Sequence, residues 1–216
     1  MLLRNYARNK MLLCIPAITF VRKMNDLTLR NELSFLKNMD PISITGIRVT
    51  LGTMTIDEAV QYYEWFWESN PQTMTCRPVT RRTTEDFIAH MQGHFEKGDA
   101  IFLAVRRRPD DAFIGRVTLF DRNEANRAIE MGYLIGPAYR GQGYAREAVD
   151  LTVRYAFDHL KLNRIIAQTG SFNVRSIALL ESLGFLQEGR LREHHMYDGK
   201  LHDDLLFGLL ASEYKK

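Results

Sequence analysis

Hydrophobic positions along the chain follow two repeats, one of two residues and one of three to four residues. The two-residue repeat is typical of half-buried strands, and the longer repeat is typical of helices that bury one face. The longer repeat predicts helices that begin near Thr55 and Thr84, at Gly143 and at Val174. The shorter repeat predicts strands at residues 47–51, 100–105, 113–120, 129–135, 164–169, 185–197 and 201–210.

Turn and cap residues mark the ends of these elements. Asn70-Pro71 is predicted to stop the first helix, Gly98 to end the second and Gly184 to close the last. Arg108-Pro-Asp-Asp is predicted to form a hairpin turn, and Asp198-Gly199 to join the last two strands. Helices and strands are mixed irregularly, so we expect an α+β fold around a mixed, mostly antiparallel sheet flanked by helices.

Composition excludes several classes of protein. The 216 residues are 45% hydrophobic and 25% charged, which is typical of one globular domain with an extension. The two cysteines, Cys14 and Cys76, form no CxxC pair, which argues against a zinc ribbon, a thioredoxin-type site and a disulfide scaffold. No run of about 18 apolar residues is present, so we expect no membrane span.

Positive charge is concentrated at the start of the chain. Residues 1–40 contain seven Lys and Arg side chains but only three Asp and Glu. The remaining residues contain 22 basic and 23 acidic side chains, a net charge of −1. A nucleic-acid-binding surface normally has a clear basic excess, so we expect no DNA partner for the main body.

The basic segment predicts an N-terminal extension over residues 1–45, followed by a domain over residues 46–216. Its first part resembles a signal peptide, but Pro16 interrupts the apolar stretch and Arg22-Lys23 follow it. Two alternative interpretations remain, a basic amphipathic or disordered leader and a true start at Met24 or Met39.

The most informative segment is a glycine-rich turn between the strand at 129–135 and the helix that follows. The first backbone N–H groups of a helix have no partner in the chain and lie at the positive end of the helix dipole. Gly141 and Gly143 allow close approach of an anion, and Arg140 and Arg146 add charge. The turn therefore predicts a diphosphate site, with a simple glycine-capped turn as the alternative.

Three motifs in order resemble those of one enzyme family. Arg140-x-x-Gly143-x-Ala145 resembles the acetyl-CoA pyrophosphate motif of the GNAT (Gcn5-related) N-acetyltransferases. Asn173-Val-Arg-Ser176 and Leu183-Gly-Phe185 follow at the typical spacing. The final strands, from Glu188 to Asp203, resemble the RimJ/RimL-type branch of ribosomal-protein N-acetyltransferases. The resemblance covers roughly residues 46–212 and implies a GNAT-type acyl-CoA fold.

The resemblance implies that acetyl-CoA is the co-substrate and that no metal takes part. The pantetheine arm is expected to bind the free backbone edge of the strand that precedes the glycine-rich turn. Asn173 is expected to cap a helix and to hydrogen-bond the pantetheine. The complete set of residues implied to bind acetyl-CoA is Tyr133, Leu134, Ile135, Arg140, Gly141, Gln142, Gly143, Tyr144, Ala145 and Asn173.

Two residues match the family's catalytic positions. Glu130 is implied to accept the amine proton through water, with a salt-bridge role as the alternative. Gly132 marks a local irregularity that would let a nearby N–H stabilise the oxyanion. Many family members donate a proton to the departing thiolate from a Tyr, where this chain has Leu180. Ser176 is implied to take that role, and its alternative is a hydrogen bond to its own backbone.

The implied activity is acetyl transfer by direct attack of a primary amine on the thioester, in a cytoplasmic enzyme. The acceptor of first choice is a protein N-terminus of the ribosomal type. The alternatives are a small-molecule amine (an antibiotic, an amino acid or a polyamine) and a non-catalytic acyl-CoA-binding role. A homodimer is compatible with the sequence. His90 and His94 lack an obvious third metal ligand. His194-His195 are expected on a strand surface, with the acceptor site as an alternative location.

Overall fold

The computed structural model describes residues 42–69, 80–98 and 100–215. The chain divides into two units, Met1–Asp40 and Pro41–Lys216, and the fold below is that of the second unit. The interpretations of the basic N-terminal segment and the predicted helix stop at Asn70-Pro71 lie outside the described residues.

A mixed sheet of eight strands organises the described residues, in the order β1-β2-β3-β4-β5-β6-β8-β7. All neighbouring strands are antiparallel except β5 and β6, which are parallel. The expected α+β class is thereby confirmed. The strands are β1 Ser43–Thr45, β2 Val49–Thr53, β3 Ile101–Arg107, β4 Ala112–Asn123, β5 Ala128–Ile135, β6 Arg164–Gly170, β7 Leu186–Tyr197 and β8 Lys200–Leu210.

Four α-helices accompany this sheet in the described part of the chain, namely α1 Ile56–Glu68, α2 Thr84–Lys97, α3 Tyr144–Asp158 and α4 Val174–Ser182. Thr55 caps α1 in a capping box with Glu58, and Gly98 ends α2 in a left-handed conformation. These local signals explain why the predicted helix ends are close to the observed ones. A short 3-10 helix, Pro137–Tyr139, was not predicted.

The alternation of strand side chains gives the sheet two differently covered faces. On the α3 face, residues such as Leu103, Val117 and Ile165 form the main core with α3 and α4. On the α1 face, Phe102 and Phe113 form a smaller core with α1 and α2. Both cores remove apolar surface from water, which is the main driving force for folding.

One strand differs from the prediction for a physical reason, and one predicted turn is confirmed. β1 was not predicted, because its three residues pair with β2 but carry too short a pattern to recognise. The hairpin turn at Asp198-Gly199 was predicted correctly, and both residues have positive φ, 50° and 71°. Asp and Gly adopt this conformation more readily than most residues, so a local signal is sufficient there.

Candidate functional site

The parallel strands β5 and β6 pair over only part of their length. Their register runs from Ala128–Arg164 to Glu130–Ile166, whereas β5 continues to Ile135. The local irregularity expected at Gly132 is not a register shift, because pairing with β4 is regular through Thr118–Gly132. The separation from β6 begins after Glu130. Beyond Glu130, the β6 side of β5 is a backbone edge that an extended ligand can pair with.

The glycine-rich turn follows directly from this edge of β5. Gly141 and Gly143 have φ values of 75° and 81°, and Gly143 is the N-cap of α3 without a side-chain cap hydrogen bond. The first N–H groups of α3 therefore have no capping side chain and open toward the turn. These features fit a phosphate group, which binds to backbone N–H groups at a helix N-terminus.

The predicted arginines of this turn have structural partners. The Nε of Arg140 donates to the carbonyl of Ile135 at 2.9 Å, and its Nη2 donates to the Oγ of Ser69 at 2.7 Å. Arg146 donates to the hydroxyl and carbonyl of Ser182. Burial, and then the charge of Arg175, lower the pKa of Arg140. Within the described residues, neither Arg140 nor Arg175 forms an ion pair with a carboxylate, so this region attracts anions.

Arg48 is a further cation at the turn, and sequence reasoning missed it. Its Nη1 donates to the carbonyl of Gln142 at 2.7 Å, and its guanidinium lies 4.5 Å from the ring centroid of Tyr144. The side chain of Gln142 also holds the loop, donating to the carbonyl of Ala138 at 3.2 Å. Arg48 precedes β2, far away in sequence, so no local pattern could have indicated it.

Tyr133 and Ser176 form a hydroxyl pair beside the separated strands. Their oxygen atoms are 2.8 Å apart, and the Oδ1 of Asn173 accepts a hydrogen bond from the Ser176 N–H at 3.3 Å. Burial raises the pKa of Tyr133 to about 12, opposed by the hydrogen bond with Ser176. Both hydroxyls are therefore protonated near neutral pH, and the Ser176 hydroxyl has a side-chain partner. Leu180, at the position of the usual family Tyr, is buried in the core.

Glu130 lies on the other face of β5. Ile129 and Met131 belong to the core of the α3 face, so alternation places Glu130 on the α1 face. It is partly buried and lines a cavity of about 570 Å³ together with Asp121, Arg164 and Ile166. A carboxylate and a pair of hydroxyls thus flank the separated strands from opposite faces.

Comparison with known proteins identifies the family. The model of the acetyltransferase (GNAT) domain matches residues 48–186, which is more than half of the chain. The chain belongs to the GNAT acetyltransferases. It matches the RimJ/RimL-type branch of the family, and it is an N-acetyltransferase. GNAT enzymes use acetyl-CoA.

Relatives of this GNAT enzyme differ in their acceptors. An uncharacterized N-acetyltransferase p20 from Bacillus licheniformis is 33% identical over 77% of this chain and 95% of its own length. The [ribosomal protein uS5]-alanine N-acetyltransferase of Escherichia coli is 30% identical over 57% of this chain and 65% of its own length. A crystal structure of spermidine N-acetyltransferase from Vibrio cholerae, in complex with CoA and spermine, has a TM-score of 0.72 at 22% identity. The match covers 77% of this chain and 97% of the spermidine N-acetyltransferase chain.

The GNAT domain also contains a buried polar cluster that sequence reasoning did not predict. The carboxylate of Asp204 is fully buried and lies 2.7 Å from the Nδ1 of His194 and 3.1 Å from that of His195. His195 is itself buried, so its expected place on a strand surface is wrong. The register shift between Leu191 and His195, with Glu193 at φ 53°, lets consecutive histidines reach one carboxylate.

His90 and His94 lie together on α2, with their Nε2 atoms 3.3 Å apart. They line a second cavity, of about 670 Å³, on the α1 face. No group of three or more His, Cys, Asp or Glu residues suited to a metal ion occurs within residues 42–69, 80–98 and 100–215. In the same part of the chain, no helix is long and apolar enough to cross a membrane.

Proposed function

We propose that this GNAT enzyme acetylates a primary amine by direct attack on the thioester of acetyl-CoA, without a covalent enzyme intermediate. The single observation that supports this most is the end of β5–β6 pairing at Glu130, next to an anion-binding turn. This arrangement provides a strand edge for an extended ligand and a carboxylate beside it. We also propose that the enzyme acts in the cytoplasm and that residues 46–216 form its N-acetyltransferase domain.

In this proposal, the turn holds the diphosphate and β5 holds the pantetheine. The N–H groups at the start of α3, from Tyr144 and Ala145, would donate to phosphate oxygens, and Gly141 and Gly143 keep the approach open. Arg140 and Gln142 keep the loop in this shape through their own hydrogen bonds. Acetyl-CoA supplies an activated acetyl group, and the backbone edge of residues 133–135 would align it.

The proposed chemistry uses both faces of β5. Glu130 accepts the proton of the attacking amine on the α1 face, through water. A backbone N–H of Tyr133 or Leu134 donates to the carbonyl oxygen as negative charge develops there. Ser176, hydrogen-bonded to Tyr133 at 2.8 Å, donates to the departing sulfur on the α3 face. The proton acceptor and the hydrogen-bond donor thus act from opposite faces of β5.

The acceptor we favour is the α-amine at a protein N-terminus. An α-amine has a pKa of about 7.8, so on the order of a quarter is neutral near pH 7.4, whereas only about 0.1% of a lysine amine is neutral. One partly buried carboxylate is a sufficient base for such an acceptor. The relative from Escherichia coli acts on ribosomal protein uS5, which supports this choice. The relative from Vibrio cholerae is named for spermidine, which makes a polyamine the second candidate.

The test is an acetyl-transfer assay with acetyl-CoA against peptides with Ala or Ser at the N-terminus, the same peptides with a blocked N-terminus, and spermidine. We expect transfer to the free peptides and none to the blocked ones. Transfer to spermidine alone would replace the favoured acceptor with the second candidate. Binding of acetyl-CoA without transfer to any amine would favour a non-catalytic acyl-CoA-binding role and overturn the proposal.

A further inference from the structure

Arg116 carries a positive charge on the α1 face of the sheet, near the proposed reaction site. It lies on β4, with Ala104 of β3 and Leu134 of β5 as its register partners, and is partly buried. Its guanidinium carbon is 3.6 Å from the ring centroid of Tyr62 and 5.2 Å from that of Phe102. Arg116 therefore extends from the α1 face toward α1.

No carboxylate neutralises this charge within the described residues. Other arginines of the domain, such as Arg106 with Glu58, form ion pairs at 2.6 Å. For Arg116 the described partners are the rings of Tyr62 and Phe102 and the hydroxyl of Tyr62, none of which carries a negative charge at neutral pH. Burial lowers the pKa of Arg116, but an arginine side chain remains protonated in proteins. Aromatic faces compensate a buried cation only in part, so the site favours an anionic ligand.

Arg116 lines the 670 Å³ cavity on the α1 face together with Phe102, Thr118 and Phe120. Other titratable side chains also line this cavity. Arg122 and Glu124 are paired with each other at 2.8 Å. Asp121 is exposed, and it also lines the smaller cavity beside Glu130. His90 and His94 complete the titratable lining. Two arginines thus line this cavity, and Arg116 is the one that has no acidic partner in the described part of the chain.

Strand register relates this cavity to the proposed reaction site. On the α1 face, Phe120 is opposite Glu130, Thr118 is opposite Gly132 and Arg116 is opposite Leu134. Among the described residues, a Cβ at Gly132 would meet only the ring of Phe120, at 3.5 Å, so there is room directly above Gly132 on this face. Two residues of a strand span about 7 Å, so an amine above Gly132 lies within reach of the side chains of both Glu130 and Arg116.

We propose that Arg116 binds a carboxylate of the acceptor, and that the acceptor is a primary amine with an acidic group close to it. This inference rests on the proposed acetyl transfer and narrows its substrate class. A peptide with an acidic residue next to its N-terminus and a free amino acid both present this chemistry. A polyamine presents only positive charge, which Arg116 repels.

The test compares acceptor pairs in which a carboxylate is replaced by its amide, at equal concentrations of the neutral amine and with the whole chain. The acceptors are two alanine peptides with Asp or Asn at the second position, alanine and alaninamide, and spermidine. We expect kcat/KM to be at least tenfold higher for the carboxylate member of a pair than for its amide. A preference within the peptide pair alone would identify a peptide acceptor, and one within the amino-acid pair alone would identify a small molecule.

Variants of Arg116 test whether this residue causes the preference for a carboxylate acceptor. We expect Arg116→Met to raise KM for the carboxylate acceptor about tenfold or more and to remove the charge preference, while KM for acetyl-CoA is unchanged. Arg116→Lys should retain part of the preference. The matched control is Arg154→Met on α3, which removes an arginine paired with Asp150 and should leave the preference intact.

The outcomes separate this inference from the proposed function. Transfer to amines with no preference for a carboxylate, or with a preference for spermidine, would overturn the role of Arg116 alone. The same holds if Arg116→Met keeps the preference at a normal melting temperature. If that variant does not fold, the wild-type ratio between the Asp and Asn peptides decides. Binding of acetyl-CoA without any transfer would overturn the proposed function and this inference together.

Discussion

Side chains on the two faces of β5 keep apart the group that accepts the amine proton and the hydroxyl that donates to the departing sulfur in the proposed reaction. Glu130 lies on the α1 face, whereas Tyr133, three residues later, packs against the core of the α3 face. The amine can therefore lose its proton on one face while the departing thiolate accepts a hydrogen bond from Ser176 on the other. Ser176 is placed by two contacts, the Asn173 cap of its backbone and the Tyr133 hydroxyl.

The role of Glu130 can be tested by Glu130→Gln. We expect kcat to fall by about 10² to 10⁴, because the amine loses the group that accepts its proton. The dissociation constant of acetyl-CoA, measured by titration calorimetry, should remain nearly unchanged. Glu85→Gln, in the exposed first turn of α2, is the control. Unchanged kcat in Glu130→Gln would remove this residue from the mechanism.

The hydroxyl pair predicts coupled effects of Ser176→Ala and Tyr133→Phe. Each should lower kcat about tenfold or more, since the departing sulfur loses its donor or the donor loses its position. The double variant should be little worse than Ser176→Ala, because both changes act through one hydrogen bond. Rate measurements at saturating substrate test this. Fully multiplicative losses would show that the two hydroxyls act independently.

The raised pKa of Tyr133 predicts a pH dependence of stability. Its pKa is about 12 in the folded protein, whereas an ordinary tyrosine has a pKa of about 10, so the unfolded chain loses the proton first. The contribution of this group is fully present below pH 10 and is lost as the pH rises through 12. The melting temperature of Tyr133→Phe should therefore fall less steeply between pH 10 and pH 12 than that of the unchanged protein. An equal slope in both proteins would contradict the assignment.

At the scale of elements, the strand, turn and helix from β5 to α3 act as one unit. β5 provides a backbone edge, the glycine-rich turn reverses the chain, and α3 presents its N-terminus at the same place. Side chains elsewhere stabilise the turn, with Arg48 bound to Gln142 and Arg146 bound to Ser182. The anion site therefore depends on main-chain geometry more than on the charge of any one residue.

Gly143→Ala tests this dependence. Gly143 has φ 81°, and a Cβ there would lie 3.2 Å from the Nη1 of Arg48. We expect acetyl-CoA to bind at least tenfold more weakly, measured by calorimetry, because the turn opens away from the diphosphate. Gly199→Ala is the matched control, since Gly199 also has positive φ, at 71°, and meets no neighbour within 4 Å. A similar loss in both variants would indicate general strain rather than a phosphate site.

At the scale of the whole molecule, the described sheet, helices and candidate site all lie within Pro41–Lys216. We therefore expect a protein of residues 41–216 to fold and to bind acetyl-CoA with unchanged affinity. Circular dichroism and calorimetry against the full chain would check this. Since the residues beyond position 40 carry a net charge of −1, the shortened protein should also bind RNA no more strongly at low salt than at high salt. Loss of acetyl-CoA binding would show that the first 40 residues contribute to the site.

The sequence by itself determined the features that depend on neighbouring residues. Thr55 and Gly98 marked helix ends, Asp198-Gly199 marked a hairpin, and the glycine-rich turn marked the start of α3. Each is set by backbone conformation or a hydrogen bond within a few residues. The order of the motifs then identified the family, and with it the use of acetyl-CoA.

Only the tertiary structure decided which distant groups meet. The pair of Tyr133 with Ser176, the location of Arg48 at the turn and the contact of Arg116 with Tyr62 all join residues far apart in sequence. The pattern of one strand does not indicate where its neighbour diverges or what lies above its faces. These contacts follow from how all strands and helices pack together, and they bear most directly on the choice of acceptor.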